Sequence, residues 1–167
     1  ILMYARSDAQ SVSCIEAVDL VNDCISSVQS VITRAGAELA TEIGEPPMHI
    51  LGNNTALSGA LSNLVANAVE AGAKKVKIVL RKEKDMIVLQ VANNGPAIPE
   101  DIRKKIFEPF YTTKSNGTGL GLAVVAAVVR VHHGRLELGE TPAYPVVFSL
   151  MIPEYIKQGE PNSTEAA

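Results

Sequence analysis

Residues 76–91 constrain the fold more than any other segment. Val76, Ile78 and Leu80 form one alternating run, and Ile87, Leu89 and Val91 form another. A charged turn at 82–85 joins them. Two such runs so close together predict an antiparallel hairpin with one face buried. A chain built only of parallel strands with helical crossovers is thereby excluded. The flanking segments change period. Val18, Val21, Ile25, Val28 and Ile32 recur at helical spacing, and Ser13 with Glu16 has the spacing of a capping box, so a first helix is predicted over 14–35. Residues 37–43 alternate like a strand. Pro46-Pro47 and Gly52-Asn53-Asn54 bracket a short apolar piece at 48–51. A second helix is predicted over 56–71, with Leu57, Leu61, Leu64, Val65 and Ala68 on its buried face. A short helix at 100–106 carries acids at its start, where the helix dipole favours them. A third long helix follows a glycine cluster and stops near 131 at His132-His133-Gly134. Strands at 135–138 and 146–152 close the order. That order predicts an α+β two-layer sandwich: a mixed or antiparallel sheet with three main helices on one face.

Composition supports a packed domain. Apolar residues make up 47 % of 167 residues and charged ones 20 %, which excludes wholesale disorder. There are three Phe, four Tyr and no Trp, so aliphatic side chains must fill the core. The formal charge of −3 excludes the strongly basic footprint of a nucleic-acid-binding domain. Lys74 to Lys84 reads as a solvated strand face. Cys14 and Cys24 give no disulfide framework, fit a reducing compartment and are expected to be packing residues on the first helix. No stretch approaches the ~20 unbroken apolar residues that a membrane-crossing helix needs. The chain opens on Ile1, which suggests a piece of a longer protein.

Four segments set polar or glycine residues against the end of an element. Asn63 and Asn67 are one turn apart on the second helix and share a face. An amide oxygen is a hard ligand suited to Mg²⁺, and an amide nitrogen can donate to phosphate; equally, the two side chains could simply be solvated. Asn93-Asn94-Gly95-Pro96-Ala97-Ile98-Pro99 is a turn after the hairpin. It would also let the backbone approach a flat ligand, with Asn93 offering an amide to a base edge. Ile106-Phe-Glu-Pro-Phe-Tyr-Thr-Thr-Lys114 is either an ordinary satellite cluster or a mobile lid with Lys114 reaching phosphates. Gly117-Thr118-Gly119-Leu120-Gly121-Leu122 opens a helix, where converging backbone N–H groups attract an anion. It is not a P-loop, because no GK[ST] follows, and no strand directly precedes it as a dinucleotide fingerprint requires.

In order and spacing these segments resemble the ATP-binding catalytic domain of bacterial two-component sensor histidine kinases, in the GHKL superfamily. NLVANAVEA resembles the N box, VANNGPAIP the G1 box, FEPFYTTK the F box and GTGLGLAVV the G2 box. The resemblance covers about residues 12–153. It implies residues 1–7 as the remnant of a preceding dimerisation and phosphotransfer helix and 8–156 as the catalytic domain, while 157–167, polar and rich in small residues, is expected to be a disordered tail. By resemblance, Asn67 would coordinate Mg²⁺ on the ATP phosphates, with Asn63 supporting them. Asn93 would face the base, while Gly95, Ala97 and Ile98 border it. Residues between Pro99 and Asn116 would form the lid, with Lys114 on a phosphate. Gly117, Thr118, Gly119, Leu120 and Gly121 would cradle the phosphates. Asn63, Asn67 and Lys114 are thus the expected catalytic residues, and ATP and Mg²⁺ the expected cofactors.

Three departures from the family pattern matter. Asn93 stands where the family usually has Asp. Its amide oxygen can still accept from the adenine amino group, but the charge is gone, and its nitrogen could donate to guanine. Ala97 replaces a usual Gly. Pro145-Val146-Val147-Phe148 stands where a Gly-Thr pair is common. The superfamily's ATPases place a Glu where this chain has Asn63, so slow hydrolysis and transfer to another nucleophile are implied. The acceptor would be a histidine of the chain's own separate dimerisation domain, with a response regulator downstream. His49, His132 and His133 do not lie in an H-E-x-x-N-P-like motif, so the chain alone is expected not to autophosphorylate; His132 is expected to cap the third helix. A monomeric, cytoplasmic piece without nucleic-acid or membrane contact is expected, whether or not its parent is membrane-anchored. The alternatives are a GHKL serine kinase or ATPase, and a degenerate nucleotide-binding interaction module.

Overall fold

A computed structural model of the chain describes residues 11–109, 111 and 121–157. The predicted hairpin forms as β4 (Lys75–Glu83) and β5 (Met86–Asn93), antiparallel, with Ile78 opposite Val91 and Leu80 opposite Leu89. β2 (Glu38–Ile43) runs parallel to β4. On the far side, β7 (Val146–Pro153) pairs antiparallel with β5, and β6 (Arg135–Gly139) pairs antiparallel with β7. The sheet is therefore mixed, in the order β2-β4-β5-β7-β6.

Three helices, α1 (Ala17–Ala35), α2 (Asn54–Glu70) and α3 (Gly121–Val131), form the second layer. Alternation decides what lies between the layers. Val76, Ile78, Leu80, Ile87, Leu89, Val91, Phe148, Leu150 and Ile152 are buried, together with Leu20, Val21, Val28, Leu57, Leu61 and Leu64 from the helices. The core is aliphatic apart from Phe148, as a chain without Trp requires. α2 packs between α1 and α3, which makes it the central helix. α1 ends on Gly36, whose φ of 64° is the left-handed cap and whose N–H reaches the Ile32 and Thr33 carbonyls.

Two expectations are corrected. The first helix does not begin at Cys14: residues Ser13–Glu16 are strand β1, antiparallel to β3 (His49–Gly52), in a separate two-stranded sheet. Ile15 is buried between them and the helices, and the Ala17 N–H bonds the Met48 carbonyl at 2.9 Å. That long-range pairing outweighs the local capping-box spacing: Glu16 is the N-cap and no side chain caps the helix. Cys14 is therefore an exposed strand residue, whereas Cys24 is a buried packing residue on α1. The predicted helix at 100–106 is instead two single 3₁₀ turns, Glu100–Ile102 and Lys105–Phe107. The eight residues between Pro99 and the Glu108-Pro109 stop are too few to repay helix nucleation, and short i→i+3 bonds take over.

Candidate nucleotide site

α2 carries the first pair of candidate residues. Asn53 caps it, its side-chain oxygen accepting the Ala56 N–H at 2.9 Å. Leu57, Ala60, Leu61, Leu64, Val65 and Ala68 face inward, so Asn63 and Asn67 fall at the half-buried margin. Asn63 Nδ2 donates to the Gly121 carbonyl at 3.2 Å. The approach is close: a Cβ on Gly121 would lie 3.0 Å from Asn63 Oδ1. The start of α3, where the glycine cluster ends, is thus held against the asparagine face of α2. Among the described residues the Asn67 amide makes no hydrogen bond, so no described residue claims its oxygen.

β5 ends at Asn93, whose residue is only 5 % exposed and whose alternation puts it on the helix side of the sheet with Leu89 and Val91. Its Oδ1 accepts the N–H of buried Gly95 at 2.9 Å. Asn94 holds the turn from outside, its Oδ1 accepting the N–H groups of Lys74 at 2.9 Å and Lys75 at 2.8 Å. Any side chain on Gly95 would press on this arrangement, since its Cβ would sit 2.9 Å from Asn93 Oδ1 and 3.5 Å from the Ala73 methyl. Ala97 is exposed, and Ile98 is half-buried against the core. Arg103 Nε donates to the Ile98 carbonyl at 3.3 Å, bracing the loop.

The aromatic loop is anchored at its start. Ile106 is buried, Phe107 meets Phe148 edge-on with ring centroids 6.2 Å apart, and Tyr111 packs on the core. Phe110, Lys114, Gly117, Thr118, Gly119 and Leu120 lie outside the described residues, as do the proposed helix remnant at 1–7 and most of the tail.

One contact at this site went unread in the sequence. The buried His132 reaches from the end of α3 to the start of α2: its Nε2 accepts the Asn53 N–H at 3.0 Å, and its Nδ1 lies 2.7 Å from the Val128 carbonyl. The second contact is the expected cap of α3. Nε2 must accept from a backbone N–H, so Nδ1 carries the proton and the ring is the neutral tautomer. Gly52 makes room for it, because a Cβ there would overlap the imidazole. The sequence signal was the Gly52-Asn53 pair before α2, legible only as a chain break.

A Mg²⁺ ion needs hard oxygens and commonly takes one or two from protein, the rest from substrate phosphates and water. The uncommitted Asn67 oxygen fits that role. Among the described residues no group of three or more His, Cys, Asp or Glu could form a protein-only cage. Cys24 cannot serve as a ligand readily either: burial pushes its thiol above the ordinary value of 9.0, although a hydrogen bond with Ser62 works the other way.

Residues 52–156 match the family model described as histidine kinase-, DNA gyrase B-, and HSP90-like ATPase. The signal transduction histidine-protein kinase AtoS of Escherichia coli K12 is 31 % identical over 137 residues, covering 80 % of this chain and 22 % of AtoS. The sensor histidine kinase CpxA of the same organism is 30 % identical over 147 residues, covering 84 % of this chain and 32 % of CpxA. The chain thus spans a third or less of these curated relatives. A solved structure of the catalytic domain of histidine kinase ThkA superposes with a TM-score of 0.79 at 29 % identity, covering 87 % of this chain and 97 % of that domain.

Proposed function

The chain belongs to the histidine kinase-, DNA gyrase B-, and HSP90-like ATPase family, and from that premise we propose that it binds the Mg²⁺ complex of ATP and donates the γ-phosphoryl group to a histidine on a separate helical domain. The observation that carries this reading is the Asn63–Gly121 bond beside the uncommitted Asn67 amide. Phosphates lying along that margin would meet amide groups from α2 and the N-terminus of α3, where unpaired N–H groups and the helix dipole favour negative charge. Bound Mg²⁺ would supply charge neutralisation at the phosphates, with Asn67 as its protein ligand. Lys114 and the glycines at 117, 119 and 121 would add donors. Asn93 and Gly95 would border the base, and the loop beginning at Ile106 would cover it.

In the transfer, the bond from the γ-phosphorus to the β–γ bridging oxygen breaks and a bond to an imidazole nitrogen forms. ADP leaves with the electron pair. Positioning and charge neutralisation are what this chain's residues contribute. Asn63 cannot act as a carboxylate base toward water, so transfer is favoured over hydrolysis. The partners on this reading are the protein's own histidine-bearing dimerisation domain and a response regulator downstream. No helix among the described residues is long and apolar enough to cross a membrane. Radiolabelled ATP tests the proposal. A protein extended upstream through a histidine-bearing helical domain should acquire acid-labile, alkali-stable label. The present chain should acquire none alone, and Asn67→Ala should abolish labelling of the extended protein. Label that survives acid would point instead to serine phosphorylation.

A further inference from the structure

Resting on the nucleotide site just proposed, we infer that His132 is a positioning residue for that site: its neutral ring holds the end of α3 on the start of α2, and protonating the ring releases α3 and weakens nucleotide binding. The geometry is that of two helices tied at both ends. Near the site, Asn63 Nδ2 donates to the Gly121 carbonyl at 3.2 Å. At the far end, the Asn53 N–H donates to His132 Nε2 at 3.0 Å. Asn63 stands ten positions after Asn53, and Gly121 eleven before His132. At the helical rise per residue both spans come to about 15–17 Å, so the two helices run antiparallel with matched lengths between the ties. With both ties made, the axis of α3 is fixed against α2. With the far one lost, α3 is free to pivot about Gly121, and the amide groups at its start turn away from the margin where Asn63 and Asn67 lie.

The far tie depends on one proton. Nδ1 lies 2.7 Å from the Val128 carbonyl and must donate to it, which leaves Nε2 with the lone pair that the Asn53 N–H needs. Turning the ring over would put carbon atoms against both backbone groups. A second proton, on Nε2, would set donor against donor in a residue only 8 % exposed. The ring has no room to withdraw toward β3, because it fills the place where a Cβ of residue 52 would sit. The charged groups on the surrounding elements do not compensate. They are Arg130 and His133 beside it on the chain, Arg135 on β6, His49 on β3 with its Nε2 3.8 Å from Glu16, and Asp23 of α1, held by Asn54 Nδ2 at 2.9 Å. The first turn of α2 carries no acid or base. Among the described residues none of these groups bonds the imidazole, whose two nitrogens both go to backbone. Histidine is the side chain whose charge ordinarily changes between about pH 5 and 8, so mild acid opens this tie. The apparent affinity then falls with the fraction of molecules in which the tie is closed.

Calorimetry of Mg²⁺-ATP binding at about pH 8 and pH 5 tests this with the unmodified chain, His132→Gln and His132→Leu, and urea unfolding at each pH checks that each protein is folded. Gln keeps an acceptor for the Asn53 N–H and does not titrate, whereas Leu fills the space and offers no acceptor. ATP takes up protons of its own in this range, and comparison with His132→Gln removes that contribution. From pH 8 to pH 5 the unmodified chain should lose at least fivefold more affinity than His132→Gln. At pH 8, His132→Gln should bind within about threefold of the unmodified chain, and His132→Leu at least fivefold more weakly. Parallel pH profiles for the unmodified chain and His132→Gln would overturn the inference. So would a folded His132→Leu protein that binds as tightly as the unmodified chain, because the ring would then serve stability alone. One readout needs no variant: a nucleotide that requires the neutral ring must in turn favour it. In NMR of the unmodified chain, saturating Mg²⁺-ATP should therefore move protonation of the His132 ring to lower pH, and a ring left unmoved would overturn the inference. No binding of Mg²⁺-ATP to the unmodified chain at pH 8 would overturn the nucleotide site itself, and this inference with it.

Discussion

At the scale of single residues, the site depends on amides whose two ends are used differently. Asn63 spends its nitrogen on the Gly121 carbonyl, Asn93 spends its oxygen on the Gly95 N–H, and Asn67 spends neither on a described residue. The sequence supplied the positions of all three through helical spacing and turn composition. It could not say which end of each amide is committed, because that is decided by where folding places a backbone group, 58 residues away for Asn63 and two for Asn93. The same limit hid the contact between His132 and Asn53, which are 79 residues apart. That contact makes a sharp prediction. Gly52→Ala forces a methyl into the imidazole and should cost about 2–3 kcal/mol in urea unfolding, while His132→Ala, which removes the imidazole bond to the Asn53 N–H and a buried ring, should cost about 1–3 kcal/mol. The double variant should cost less than the two added, since removing the ring removes the overlap. Simple additivity would mean that Gly52 and His132 do not meet.

At the scale of elements, period was read correctly wherever a segment is long and packs on one face: α2, β4, β5 and β7 lie within a few residues of expectation. The failures are the short pieces. β1 and β3 have four residues each, and only their mutual pairing makes either a strand. Burial across the helix layer gives a contrast to measure. Leu64 on α2 is fully buried, and Leu64→Ala should cost about 2–5 kcal/mol. Val131 at the end of α3 is 73 % exposed, and Val131→Lys should stay within about 0.5 kcal/mol of the unmodified chain. The strand assignment of Cys14 has its own readout. A thiol reagent should modify exposed Cys14 quickly in the folded protein, and buried Cys24 only as fast as the protein opens. Equal rates would contradict the packing of α1.

At the scale of the whole molecule, one aliphatic core joins the sheet to all three helices, so a change at Cys24 should be felt globally. Burial raises the Cys24 thiol above its ordinary value of 9.0. Folding therefore favours the protonated thiol. Its contribution is fully present below the unfolded value, declines as pH rises above about 9.0, and is gone past the raised folded value. Urea midpoints from pH 8 to 10.5 should fall with pH, and the fall should be shallower in Cys24→Ala; an identical slope would remove Cys24 as the cause. The architecture itself was legible because the hairpin at 76–91 forbids an all-parallel sheet and leaves few ways to cover one face with three helices. What was not legible was the parallel pairing of β2 with β4, since strand direction leaves no mark in an alternating pattern. The central claim concerns the margin where α2 meets α3, and calorimetry of nucleotide binding tests it most directly. Titration with Mg²⁺-ATP and Mg²⁺-GTP should give measurable heat for the unmodified chain, and Asn67→Ala should weaken both by at least tenfold without changing the unfolding midpoint. Equal affinity in the Asn67→Ala variant, or no binding by the unmodified chain at millimolar nucleotide, would contradict it.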